Sequence, residues 1–296
     1  MLGVLTISLE QGLAYALVAL GIVISFRVLS FPDLTVDGSF TLGAAVTAKL
    51  IIEGVNPAFA VLIASAAGFL AGTLTGFLNT KLKINALLAG ILVMTILYSL
   101  NLRIMGRANI PLLTVDTLFT PLEEMGNLGP WAMILFFFVL AGVVKVLLDL
   151  FFHTSLGLSM RATGDNEQMI RSQGVNTDFM TVLGLGLSNA LVALAGAMVC
   201  QEQGFADIGM GIGMIILGLA SIIIGEAVLR PSSVVRLTLA AVIGSVIYRS
   251  LLAAGLRLGL APTDLKLATG VMVILALGIP ALKSRGRQER EHFRGV

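Results

Sequence analysis

Three polar stretches interrupt an otherwise apolar chain, and each carries residue types able to cap, bind or gate. The first is Asp33-Leu34-Thr35-Val36-Asp37-Gly38-Ser39, two carboxylates four apart with hydroxyls beside them. Pro32 disfavours helix at Phe31, and Gly38 adds a flexible point, so the backbone is predicted to break here. Irregular backbone at membrane depth is tolerated only where protein buries it or it lines water. Two readings follow for Asp33, Thr35, Asp37 and Ser39. They form a turn whose acids are plain N-caps, or they line a path or gate where the free N–H groups of a half-helix meet a carboxylate. A Mg²⁺–diphosphate site of D-x-x-x-D type needs a partner acidic motif, and none follows. The second stretch runs from Gln201 to Gly213 and holds Glu202, Gln203 and Asp207. These residues face the outer mouth of a path, or they solvate at headgroup level. Its glycines follow no strand, which excludes a dinucleotide fingerprint. Asn85, at the edge of an apolar run, joins the path residues because polar groups inside a membrane default to function.

The third stretch, His153 to Asp178, is the longest polar interruption. Asp165 with Gln168 three residues later reads as a capping box, the acid accepting from the third helical N–H and the amide reaching back. Gly174 is where the helix stops, since only Gly enters the left-handed region without penalty. A two-turn helix over roughly Asn166 to Gln173 is expected, with Met169 and Ile170 on one side and charge on the other.

The elements that position these stretches follow from composition. The 296 residues are 57% hydrophobic and 12% charged, far below the roughly 25% charged of soluble domains. Such a chain cannot hide its apolar side chains in a soluble core, so it is an all-α polytopic membrane protein. The 33 Gly suit close helix packing in lipid, and Gly68, Gly72 and Gly76 form a small-residue stripe expected to pack within the chain. One Cys and two His exclude an internal disulfide and argue against Cys- or His-based metal sites. A net charge of +2 does not point to nucleic acid. The first apolar run lacks a basic n-region and an A-x-A site, which predicts that it stays as a helix.

Spans of about 20 apolar residues fall at 4–26, 38–53, 57–79, 84–101, 130–152, 178–201, 209–229, 234–255 and 264–282. About nine transmembrane helices are expected, within a range of eight to ten. Placing the 153–178 loop in the cytoplasm puts 12 Lys and Arg inside and 6 outside, the bias the positive-inside rule requires. The N-terminus is then outside and the C-terminus cytoplasmic. Residues 1–282 are read as one transmembrane domain, and 283–296 as a basic cytoplasmic tail. An internal repeat runs at an offset of 174: Ala16-Leu17-Val18-Ala19-Leu20 recurs at 190–194, Phe31-x-Asp33 at 205–207, Pro57 at Pro231, and Ala66-Ala67 at 240–241. The counterpart of the first helix is the sixth span, five places further on, an odd offset that reverses direction. The copies, about 13–100 and 187–280, are therefore predicted to be inverted, with a path near their interface.

The run Gly157, Arg161-Ala162, Asp165 to Glu167 and Gly174-Val175-Asn176, leading into an apolar helix, resembles the cytoplasmic coupling segment of permease subunits of branched-chain-amino-acid and ribose type ABC importers. The stretch Phe31 to Val46 resembles the segment after the first helix of the same family. The resemblance covers most of the chain. It implies a type II importer transmembrane subunit in the bacterial inner membrane, pairing with a second copy or a paralogue. A dimeric ATPase would bind ATP-Mg and grip Arg161, Ala162, Gly164, Asp165, Asn166, Glu167, Gln168, Met169, Arg171 and Gly174. A substrate-binding protein would deliver the solute, and this chain itself would hold no cofactor. DLTVDGS departs from the Asn-Phe-Ala-His-Gly type run of amino-acid members, which leaves the ligand open. The variant resembles a branch associated with amino-acid-like compounds, aromatic ones among them. No G-x-x-x-x-G-K-[ST], H-E-x-x-H or G-x-S-x-G run occurs, so a non-catalytic subunit is expected. The competing reading is a stand-alone ion-coupled secondary transporter in which Glu10, Asp33, Asp37 and Glu202 supply the coupling acids.

Overall fold

A computed structural model describes residues 2–123 and 129–257, together with 267, 270 and 271. The chain runs α1 (Leu2–Ile22), a π-helical extension Val23–Val28, α2 (Thr35–Ile52), α3 (Pro57–Thr80), α4 (Ala86–Met105), β1 (Asn109–Pro111) and α5 (Thr120–Glu123). It continues through α6 (Gly129–His153), α7 (Ser155–Asp165), α8 (Glu167–Ser172), α9 (Thr177–Gln203), β2 (Phe205–Asp207), α10 (Met214–Leu229) and α11 (Val234–Arg257). Among the described residues, seven helices are long and apolar enough to cross a membrane: α1 with its extension, α2, α3, α4, α6, α9 and α11. α10 is apolar but only 16 residues long. The span expected at 209–229 therefore begins later, because residues 209–213 form turns, with Gly213 at φ 93°. The span expected at 38–53 begins earlier, at Thr35. The ninth, 264–282, lies outside the described residues.

Helix starts are written into the sequence as side-chain caps. Asn56 accepts from Ala58 N with Pro57 in the first turn, Asn85 from Leu87 N, Thr154 from Gly157 N and Asn176 from Phe179 N. Each satisfies an N–H that the helix leaves without a carbonyl. The break predicted by Pro32 lies between Val28 and Thr35, where Ser30 takes φ 54°.

α1, α2 and α9 form the buried centre, while α3, α4 and α6 turn Phe59, Leu62, Leu70, Ile96 and Phe138 outward. Gly68, Gly72 and Gly76 lie against Asn189, Leu185 and Val182 of α9, where a Cβ would collide with the facing helix. The descending partner numbers show that α3 runs antiparallel to α9, and the stripe packs within the chain. α11 packs on α1, with Ser245 Oγ donating to Gly12 O (2.8 Å) and the Arg249 guanidinium 3.7 Å from the Tyr15 ring centroid. A matching local turn also recurs at the repeat offset, with Thr35 N donating to Asp33 Oδ1 at 2.9 Å and Gly209 N to Asp207 Oδ1 at 2.8 Å. β1 and β2 pair antiparallel, Asn109 opposite Asp207 and Pro111 opposite Phe205, tying the loop after α4 to the loop after α9.

Candidate functional site

The break after α1 delivers Asp33 into the protein interior, where it is 2% exposed. Its carboxylate accepts from Thr35 N and, at 2.7 Å, from Asn189 Nδ2 on α9. Asn189 is fully committed: Nδ2 also donates to Leu185 O, and Oδ1 accepts from Ser39 Oγ at 2.7 Å. Thr35 shares a 2.7 Å hydrogen bond with Thr75 of α3. No cation stands against Asp33 among the described residues, so neutral donors alone satisfy it. Three expected path residues (Asp33, Thr35 and Ser39) are thus brought together, around Asn189, which is not among the residues expected from the sequence. Asn189 lies in the apolar run Val182 to Ala195. An amide inside a membrane-length helix was the available signal.

Asp37 has a different task. α10 begins at Gly213, whose missing side chain cannot cap, and Asp37 reaches across from α2 to do so. Oδ2 accepts from Gly213 N and Oδ1 from Ile215 N, both at 2.9 Å, while Thr41 Oγ1 accepts from Gly211 N at 3.1 Å. An anionic acceptor at a helix N-terminus satisfies orphan donors and complements the dipole. The N-cap reading of this acid thus describes its geometry, with the capped helix remote rather than its own. Asp37 also lines, with Thr41, Tyr98, Asn101 and Ile212, a cavity of about 430 Å³ between α2, α4 and the turn before α10.

Glu202 and Gln203 lie at the far end of α9, where they line a cavity of about 340 Å³ with Asp116 and Thr117. Asp207 bonds Gly209 N and Asn109 Nδ2 beside them. Asn85 joins neither group. It is exposed and caps α4.

At the opposite end of α9 the expected short helix is α8. Its N-cap is Asn166, whose Oδ1 accepts from Met169 N at 3.0 Å. The cap is therefore not Asp165, as expected from the sequence: α7, a helix that the apolar pattern does not mark, ends at Asp165. Gln168 is exposed and makes no return bond among the described residues; Glu167 instead pairs with Arg171 at 2.8 Å. Arg171 continues to Thr177 Oγ1 and to Asp178 at 2.9 Å, fastening α8 to the head of α9. Gly174 takes φ 87° and ends the turn. None of the α8 side chains is buried, and Glu167, Gln168, Met169 and Arg171 all face out. Ala162 and Gly164 belong to α7, where Gly164 rests on the Val28 carbonyl with no room for a Cβ. Arg161, also on α7, is turned to a groove shared with Arg27 and Arg230.

Residues 4–278 match the family described as "Branched-chain amino acid transport system / permease component". The chain is 43% identical over 277 residues to a protein named tyrosine transport system permease protein from Clostridioides difficile (strain R20291), covering 94% of this chain and 91% of that one. It is 37% identical over 280 residues to an uncharacterized protein of Rickettsia prowazekii (strain Madrid E), covering 93% and 97%. A more distant relative, 31% identical over 64% of this chain and 52% of its own, is the autoinducer 2 import system permease protein LsrC of Yersinia pseudotuberculosis serotype O:1b (strain IP 31758). No solved structure matches. A polytopic helical bundle, an exposed capped helix between α6 and α9, and a family match along nearly the whole length lead to one assignment: this chain belongs to the branched-chain amino acid type permease family of ABC transport systems.

Proposed function

We propose that the chain forms the translocation path of an ATP-driven importer in the bacterial inner membrane, with its C-terminus cytoplasmic, working with a second permease copy or paralogue. The observation that carries this is α8. It is a capped helix with every side chain outside the core, fastened through Arg171 to a central helix whose other end borders the cavity of Glu202 and Gln203. At 1.5 Å per residue α9 is about 40 Å long, enough to join an ATPase-facing knob to a solute-facing mouth. A dimeric ATPase holding ATP-Mg grips Asn166 to Gly174 and the adjoining α7 surface, and a substrate-binding protein delivers to the opposite end. Closure of the ATPase pushes α8 and, through α9, shifts the helices that meet at Asn189.

The helices are read as two inverted copies with the path between them. The exchange of α3 on α9 for α11 on α1, and the recurring turn at Asp33 and Asp207, support this reading. The solute is amino-acid-like. The cavity at Asp37 and Tyr98, of about 430 Å³, is within the roughly 300–1,000 Å³ of small-molecule sites, and one relative is named for tyrosine transport.

The test is co-purification followed by uptake. Expressed with its neighbouring ATPase, the chain retains it, and proteoliposomes accumulate an aromatic amino acid only with ATP and binding protein. Met169→Glu and Gln168→Lys, both outside the core, release the ATPase without unfolding the bundle. Uptake driven by an ion gradient with no ATPase bound would establish the secondary-transporter reading instead.

A further inference from the structure

The face that carries α8 has a second feature, a basic groove that shares only Arg161 with the ATPase-gripping residues. An open groove of about 540 Å³ lies between the end of the π-helical extension, α7, the end of α10 and the start of α11. Arg27, Arg161, Arg230, Glu226, Ser232 and Ser233 line it. Arg27 is spent on Glu226, its ion-pair partner. Among the described residues Arg161 and Arg230 have no ion pair or side-chain hydrogen bond, so the groove keeps two uncompensated guanidinium groups. The α11 N-terminus adds its positive dipole end beside them, with Ser233 accepting from Arg236 N. Arg230 occupies φ 45°, ψ 64°, a left-handed conformation that Gly adopts without strain and Arg does not.

We infer that this groove binds a phosphate-bearing anion, the headgroup of an anionic phospholipid. Guanidinium forks match phosphate oxygens bidentately, and basic pockets between helix ends on the cytoplasmic side take such headgroups. A lipid fits better than a soluble phosphate because the groove opens onto apolar surface. Pro231, Val234 and Leu237 are its apolar lining, and Val228 and Leu229, leading into Arg230, and Val235, next to Val234, are exposed, an apolar border for acyl chains. Arg161, grouped by the family resemblance with the ATPase-gripping residues, is in this arrangement a lipid ligand. The inference does not depend on the identity of the transported solute or on the power source.

The full chain, purified in an uncharged detergent, is titrated with phosphatidylglycerol, phosphatidylcholine or inorganic phosphate. Its unfolding is followed by fluorescence of the single Trp, and bound lipid is counted by native mass spectrometry. Phosphatidylglycerol is expected to raise the midpoint by several degrees and to stay bound, while the other two do neither. Salt at about 0.5 M, where the Debye length is only a few ångström, removes most of the effect. Arg161→Gln weakens the apparent lipid affinity about fivefold, the effect of one arginine near a headgroup. Arg230→Gly does the same, yet without lipid it unfolds at the wild-type temperature or above because the strained backbone is relieved. That second variant separates loss of the site from loss of the fold. Equal stabilisation by phosphatidylcholine, equal stabilisation by inorganic phosphate, or an undiminished phosphatidylglycerol response in both variants overturns the inference.

Discussion

Asn189→Leu tests whether the two ends of the α2–α9 contact are held together by polar chemistry or by packing alone. Leu has the branching and heavy-atom count of Asn, so the substitution removes the hydrogen bonds while keeping the outline of the side chain; its two methyl groups are bulkier than the amide atoms, and overpacking against α3 adds to the cost. Asp33 loses a 2.7 Å donor and Ser39 loses its acceptor. A hydrogen bond to a charged group contributes about 1.5–3 kcal/mol, and a buried hydroxyl left without a partner costs about 1–3 kcal/mol. The sum is about 2.5–6 kcal/mol, or about 5–18 °C in unfolding temperature at about 2–3 °C per kcal/mol. Ser39→Ala removes only the neutral bond and is expected to cost about 1–2 kcal/mol. The double variant costs less than the two singles added, because the hydroxyl orphaned by Asn189→Leu is then gone. Thermal unfolding of the detergent-solubilised chain measures all four states of the cycle. Neutral side-chain bonds in membrane proteins average only about 0.6 kcal/mol. An Asn189→Leu cost at that level, or strict additivity, would mean that Asp33 is not held by Asn189 and would refute the reasoning.

Asp37→Ala uncaps α10 and is expected to cost about 1–2 kcal/mol, read as a lowered unfolding temperature; Asp37→Asn, which keeps an acceptor, recovers part of it. Gly72→Leu drives a side chain into the Leu185 carbonyl, and a cost of about 3 kcal/mol or more predicts loss of folded protein by size-exclusion chromatography. Gly142→Ala faces open space and is expected to be neutral or up to about 1 kcal/mol stabilising. Arg171→Ala removes exposed ion pairs that contribute at most about 1 kcal/mol to stability. Yet it frees α8 from α9, so ATP hydrolysis is expected to continue while uptake per ATP falls. Amides at Asp165 and Glu167 are expected to act in the same direction, the latter through its pair with Arg171.

What the sequence made legible was periodic or locally encoded. Apolar runs marked the helices, Pro32 marked the break, and Gly174 marked the turn after α8, because each acts on its own neighbours. The offset of 174 relates Asp207 to Asp33, and each of these acids accepts from the N–H two residues on. Features set by distant contacts were not legible. The choice of Asn166 over Asp165 as cap depends on where α7 ends, and α7 has too few apolar residues to announce itself. β1 and β2 are three residues each, too short for alternation to register, and their pairing is fixed by the helices that carry them. Asn189 was hidden among apolar neighbours because its importance lies in Asp33 and Ser39, 156 and 150 residues away. Asp37 was identified as a possible cap, but nothing local says that the helix it completes starts 176 residues later.

That last arrangement constrains how such chains can diverge. α10 cannot finish its own first turn, since Gly213 has no side chain and the acceptors are lent by α2. The acid and the glycine-rich turn must therefore be inherited together. A chimera that takes its front half from one relative and its back half from another is expected to assemble only when both parents share this clasp, however similar their apolar helices.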